Sequence, residues 1–269
     1  MPPLYSICKA LAGLSPQVVI HAFKRGPRLA ARASVRAYYA VLEDEMRSQQ
    51  PPPSPYTIRQ IPEVNLSTAI GEAEPEVTIK HKTYVDGMLP SEQAFALVAL
   101  LAARRPSELL EIGTYLGHTT RQMAENAVNA LIHTVDLPLD FNPENERHEG
   151  PPKDDFHLIR KRQVGKGYLG YACADRIQQH FADTASWDFA PARNATFFFI
   201  DGSHTYEHCL HDSQQCLTLN DKPKTLVWHD CDDGHPGVVR CLVEWRSLGR
   251  DIKRIRGTSL AYWDASGVS

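Results

Sequence analysis

The chain has 269 residues, 42% of them hydrophobic and 23% charged. Those proportions fit one large globular domain, or one domain with an appendage, and exclude disorder throughout. Lys and Arg number 29 against 32 Asp and Glu, a formal net charge of −3, which leaves no electrostatic footprint for nucleic acid and no polybasic membrane anchor.

The six cysteines contain no C-x-x-C pair, so reduced thiols in a cytoplasm are expected rather than a disulfide scaffold or a zinc site. The longest clean apolar run, Ala94 to Ala103, is about half of what a membrane span needs. Lys9 interrupts the apolar stretch at the N-terminus, which makes a poor signal peptide and reads better as an amphipathic helix.

In chain order, residues 1–50 read as helix. Val35, Tyr38, Tyr39, Leu42 and Met46 fall at helical spacing within Arg28 to Arg47. That apolar stripe is expected to pack on a second subunit, giving a homo-oligomer, or to cover the site. Pro51, Pro52, Pro53 and Pro55 end the helix. Residues 56–80 show no firm period and read as a linker or wrapping segment. The chain thus divides into an extension, 1–80, and a main domain, 81–269.

Within 81–269, helices and strands alternate. Ser91 caps a helix to Ala103; 107–113 is a strand; 119–129 a helix; 131–137 a strand. Residues 138–172 are rich in Pro, Gly and charge and read as an inserted lid loop without regular structure. A strand precedes Asp183, and 195–201 is the most apolar strand. A helix at 206–219, a strand at 225–230, a helix at 238–248 and two last strands around Gly257 follow. The pattern predicts an α/β, mostly parallel sheet in which one member of the last pair runs antiparallel.

Ligands of such sheets sit beyond the carboxyl ends of the strands. Those ends deliver Glu111 with Gly113 and Gly117, then Asp136, Asp183, Asp201 with His204, and His229 with Asp230. All are acidic. A dinucleotide site needs G-x-G-x-x-G for its pyrophosphate. Here the spacing is Gly113-x-x-x-Gly117 with a carboxylate just before it, which suits a ligand carrying an ammonium group. S-adenosylmethionine has an ammonium, a sulfonium and no phosphate. Asp136, 25 residues after Glu111, can accept both ribose hydroxyls, Asp183 can accept the adenine amino group, and Tyr115 can contact the cofactor through the loop. Trp187 reads as a stacking or core residue, and His208 and Asp212 as helix-surface pairing.

The ordered segments LLEIGTYLGHTT, IHTVDL, FFFIDGSHTYEH, LVWHDCDDGHPGV and RIRGTSLAYWD resemble the class I S-adenosylmethionine-dependent methyltransferases. The similarity is greatest to a bacterial branch with D-G-S-H-x-Y, which includes metal-dependent sugar O-methyltransferases of macrolide biosynthesis. The resemblance covers residues from about 81 to 269. It implies a seven-stranded Rossmann-like sheet with an antiparallel last strand, and methyl transfer to a small-molecule hydroxyl. It also implies Asp201 as a cofactor contact and metal ligand, His204 as general base, and His229 and Asp230 at two further ligand positions. His229 replaces a carboxylate of that pattern, so manganese, iron or zinc is admitted beside magnesium. Two other functions stay open at this point: an NAD-linked oxidoreductase, disfavoured by Glu111, and a cofactor-binding module without catalysis.

Overall fold

The computed structural model describes residues 54–79, 87–142 and 156–265. The helix expected at 28–47, with its proposed pairing to a second subunit, lies outside them, as does the middle of the expected lid.

A 3-10 turn at Ile58–Gln60 leads into β1 (Glu63–Val64), α1 (Leu66–Ile70) and α2 (Ser91–Arg104). Then come β2 (Glu108–Ile112), α3 (His118–Asn126), β3 (Leu131–Asp136), α4 (Phe156–Lys161) and β4 (Ile177–Phe181). The chain continues through β5 (Phe197–Ile200), α5 (Tyr206–Thr218), β6 (Lys224–Trp228), α6 (Pro236–Ser247), β7 (Lys253–Ile255) and β8 (Ala261–Ala265).

The strands form one sheet in the order β1-β7-β8-β6-β5-β2-β3-β4. All neighbours pair in parallel except β8, which is antiparallel to both β6 and β7. This is the expected Rossmann-like architecture, with eight strands rather than seven. The additional strand is β1, within the segment read as a linker. Its Glu63 and Val64 register with Arg254 and Ile255 of β7. Two residues are too few to show a period.

Near-continuous apolar runs are what a sheet covered on both faces requires, and the faces separate by alternation. Leu109, Phe197, Phe199 and Val227 pack on one side with Leu97, Leu100, Leu101 of α2 and Met123 of α3. Leu110, Ile112, Phe198, Ile200, Leu226 and Trp228 pack on the other with Cys209 and Cys216 of α5 and Val239, Leu242 and Trp245 of α6. Each fully buried Phe or Leu contributes roughly 1.5–3 kcal/mol. β4, at the sheet edge, carries the polar Gln178, Gln179 and His180 between Ile177 and Phe181, which a strand covered on fewer sides tolerates.

The expectation that 138–172 lacks regular structure is corrected in its described parts. Phe156–Lys161 is helical, and a turn at 165–168 seats against the glycine loop. Backbone pairing with that loop, which composition does not reveal, orders it. Among the described residues no helix is long and apolar enough to cross a membrane.

Candidate active site

Strand order reverses between β2 and β5, and this is where open α/β sheets bind ligands. The two strand ends touch there. Gly113 has φ 97°, and a Cβ on it would collide with the backbone of Asp201. Only Gly fits that approach. Its N–H donates to the carbonyl of Val135 at 2.9 Å, tying β2 to β3 as well.

Beyond Gly113 the loop bends through Tyr115, at φ 48°, whose N–H donates to Asp136 Oδ2 at 2.6 Å. Asp136 Oδ1 lies 3.2 Å from Arg162 Nε. Burial raises the Asp136 pKa against the opposing pull of these two partners. Gly117 has φ 77° and lies flat under the ring of buried Tyr168. The Gly165 and Gly167 N–H groups donate to the carbonyls of Tyr115 (3.2 Å) and Leu116 (2.6 Å), and the Tyr168 hydroxyl donates to Gln179 at 2.8 Å.

Glu111 is fully buried below this loop. Its Oε2 accepts from the hydroxyls of Thr120 and Thr134, and its Oε1 has no hydrogen-bond partner. Burial pushes its carboxyl up to about 8, despite the two hydroxyls. The sealed side chain therefore presents no surface to a ligand, and the expectation that Glu111 touches the cofactor is not met. Asp183 accepts from the Ala185 N–H at 2.9 Å and closes its own turn. Of these acids Asp136 alone faces the glycine loop with an ionisable group that reaches the surface of the site, where it can accept hydroxyl hydrogens.

The second half of the site lies at the ends of β5 and β6, adjacent parallel strands. His229 Nδ1 is 2.9 Å from Asp201 Oδ1 and 3.0 Å from Asp230 Oδ1, and its Nε2 is 2.8 Å from Gln93 Oε1. His204 Nε2 is 2.7 Å from Asp230 Oδ2. The His204 and His235 rings meet edge to face, 4.6 Å between centroids, and His235 Nδ1 is 2.9 Å from Asp232. Asp230 has φ 56°, in the left-handed region that Asp visits more readily than most residues. The turn leaves its carboxylate between two imidazoles.

Burial pushes Asp230 upward, but hydrogen bonds from His204 and His229 outweigh it and hold the carboxyl well below its usual range. Burial likewise works against a charged His229, yet Asp201 and Asp230 raise that imidazole well above its ordinary value.

The structure thus brings together Asp201, His204, His229 and Asp230 as one group, and Gly113, Tyr115, Gly117 and Asp136 as another joined to it through Gly113. Asp201, His229 and Asp230 each offer a ligand atom within 4.8 Å of one another, as do His204, Asp230 and His235. Two carboxylates and an imidazole fit a borderline divalent cation, and Gln93 behind His229 completes the outer shell such sites use. His208 instead lies against its own cap, with Nδ1 2.8 Å from the Thr205 hydroxyl.

Gln93 escaped the sequence reading, and Asp212 does not sit where that reading puts it. Asp212 is nearly fully buried in α5, with Oδ1 lacking a hydrogen-bond partner. Burial pushes it up to about 7, the Thr184 hydroxyl opposing. Helical spacing from His204 predicts a surface pair with His208, and the burial of Asp212 corrects that.

No curated protein matches the chain. Among solved structures, cofactor-bound Rv0187 from MTB is 16% identical, with 76% of this chain and 87% of that one covered and a TM-score of 0.47. The O-methyltransferase TomG of Streptomyces achromogenes, involved in tomaymycin synthesis and solved with SAM, is 16% identical over 68% and 83% of the two chains, TM-score 0.47. An O-methyltransferase from Bacillus cereus, solved with SAH, is 13% identical over 67% and 84%, TM-score 0.45. Residues 110–231, which run from β2 to just past Asp230 and so contain both halves of the site, match the family model of a methyltransferase domain.

Proposed function

We propose that the chain is an S-adenosylmethionine-dependent methyltransferase that methylates a hydroxyl of a small hydroxylated metabolite, a sugar or other natural product, with help from a divalent cation. The observation that carries this reading is the junction at Gly113. It joins the loop held by Asp136 to the strand end of Asp201, next to the His204–Asp230 pair, and an acid that can accept ribose hydroxyls beside a His–Asp pair supports methyl transfer. The methyltransferase-domain match over 110–231 supports the same reaction class.

Bound S-adenosylmethionine supplies an electrophilic methyl group on a sulfonium, and a bound divalent cation lowers the pKa of a nearby hydroxyl. The chain's own residues do the rest. Asp136 accepts the ribose hydroxyls. Gly113 and Gly117 let the backbone approach without a Cβ in the way. Asp230 accepts from His204 Nε2–H and so fixes the tautomer that leaves the Nδ1 lone pair to take the acceptor's proton. The other Asp230 oxygen, with Asp201 and His229, would hold the cation.

A thermal-shift panel of S-adenosylmethionine, its demethylated product and NAD tests the cofactor. Stabilisation by the first two and not by NAD is expected. Turnover on a library of hydroxylated acceptors, with and without chelator, then tests transfer and the cation.

A further inference from the structure

The geometry points to Gln93 as the positioning residue that decides which nitrogen of His229 faces the cation. This deepens the cation reading above and rests on it.

Gln93 stands in the first turn of α2, far from His229 in sequence, and its Oε1 is 2.8 Å from His229 Nε2. The same oxygen accepts from the Ser259 hydroxyl at 2.9 Å. Ser259 belongs to the β7–β8 connection, whose backbone also accepts from the Cys231 N–H at 2.9 Å. Three separate elements thus converge behind the imidazole.

An amide oxygen only accepts, so it calls for the proton on Nε2. Nδ1 faces Asp201 Oδ1 at 2.9 Å and Asp230 Oδ1 at 3.0 Å, and once a cation displaces the proton from that nitrogen its lone pair joins the two carboxylates. Without a cation the imidazolium supplies the positive charge between the two acids; a divalent cation takes over that part, with all three atoms as ligands. Without Gln93 the ring is free to take the other tautomer, with Nδ1–H donating to the carboxylates and no ligand atom left on that side. Outer residues of this kind typically change metal affinity about 10–100-fold.

The test is titration of the full-length chain with Mn(II), free manganese read by electron paramagnetic resonance. Gln93→Leu is expected to weaken Mn(II) binding about 10–100-fold. Gln93→Glu, which keeps the acceptor oxygen, is expected to retain it. Ser259→Ala, which frees the amide to turn, is expected to weaken binding less than Gln93→Leu and guards against misfolding of the leucine variant. In the zinc-loaded protein, long-range proton–nitrogen spectra should place the His229 proton on Nε2. If the parent chain binds Mn(II) and both Gln93→Leu and Ser259→Ala bind it equally well, Gln93 has no such role and the cation reading stands. If the parent chain binds neither Mn(II) nor Zn(II), the cation reading itself falls and takes this role with it.

Discussion

Arg162 Nε lies 3.2 Å from Oδ1 of Asp136, so the acid placed for the ribose already faces a guanidinium. The other nitrogens of Arg162 donate to the carbonyls of Ile159, Leu137 and Pro138, which anchors the chain after β3 to the end of α4. Under the proposed function, ribose hydroxyls share or replace the Arg162 contact, while the Tyr115 N–H keeps Asp136 aimed.

Asp136→Ala removes an ionised acceptor. Bonds to such a group contribute roughly 1.5–3 kcal/mol each, so the loss in S-adenosylmethionine affinity is about tenfold or more. Calorimetry on the purified variant reads this directly. Unchanged affinity would remove Asp136 from the cofactor site.

Glu111 makes stability depend on pH. Its folded pKa, about 8, stands above its ordinary 4.5, so the folded state holds a proton that the unfolded chain has already lost. A group of this kind stabilises below its unfolded pKa and loses that contribution as pH rises towards the folded value. Each unit is about 1.4 kcal/mol, so the fall between pH 4.5 and 8 amounts to several kcal/mol before relaxation. Asp212, pushed up to about 7, acts in the same direction. Cofactor-free melts should decline from pH 5 to pH 8, and Glu111→Gln should flatten most of that decline. A parent protein that melts higher at pH 8 than at pH 5 would contradict the sign.

Much of the fold was legible because burial on both faces leaves a plain signature. Phe197 and Phe199 turn one way and Phe198 and Ile200 the other, and such a run has nowhere to sit but mid-sheet. Observed element ends differ from the expected ones by no more than three residues. The site was legible where one strand end carries the chemistry, as at Asp136, Asp201 and Asp230. It was illegible where the partner comes from elsewhere. Gln93 meets His229 across 136 residues, and Arg162 and Tyr168 belong to a segment whose composition resembles an open loop. Their order comes from backbone contacts with the glycine loop, and no side-chain pattern encodes those.

The cation half of the site gives a separate test. Asp201 and Asp230 both face His229 Nδ1, and removing one charge weakens the hold on any cation placed there. Chelator should lower turnover, and Asp201→Asn should mimic chelation. Full activity in excess chelator would leave His229 as the charge between the two acids.

The reaction centre gives the sharpest test. His204 Nε2 is fixed on Asp230 at 2.7 Å, and the ring is part-exposed, edge-on to His235. If Nδ1 takes the acceptor's proton, His204→Ala should lower kcat about 10²–10⁴-fold, the usual size for a general base, with cofactor affinity barely changed. His204→Gln should fail equally, since an amide cannot take the proton. Asp230→Asn should cost activity twice over, through the tautomer of His204 and through the cation. His235→Ala separates the neighbours: it keeps the His204–Asp230 contact and should leave most of the turnover. If His204→Ala stays active while His235→Ala does not, the proton leaves through the His235–Asp232 pair instead, and His204 serves only to hold Asp230 in its left-handed turn.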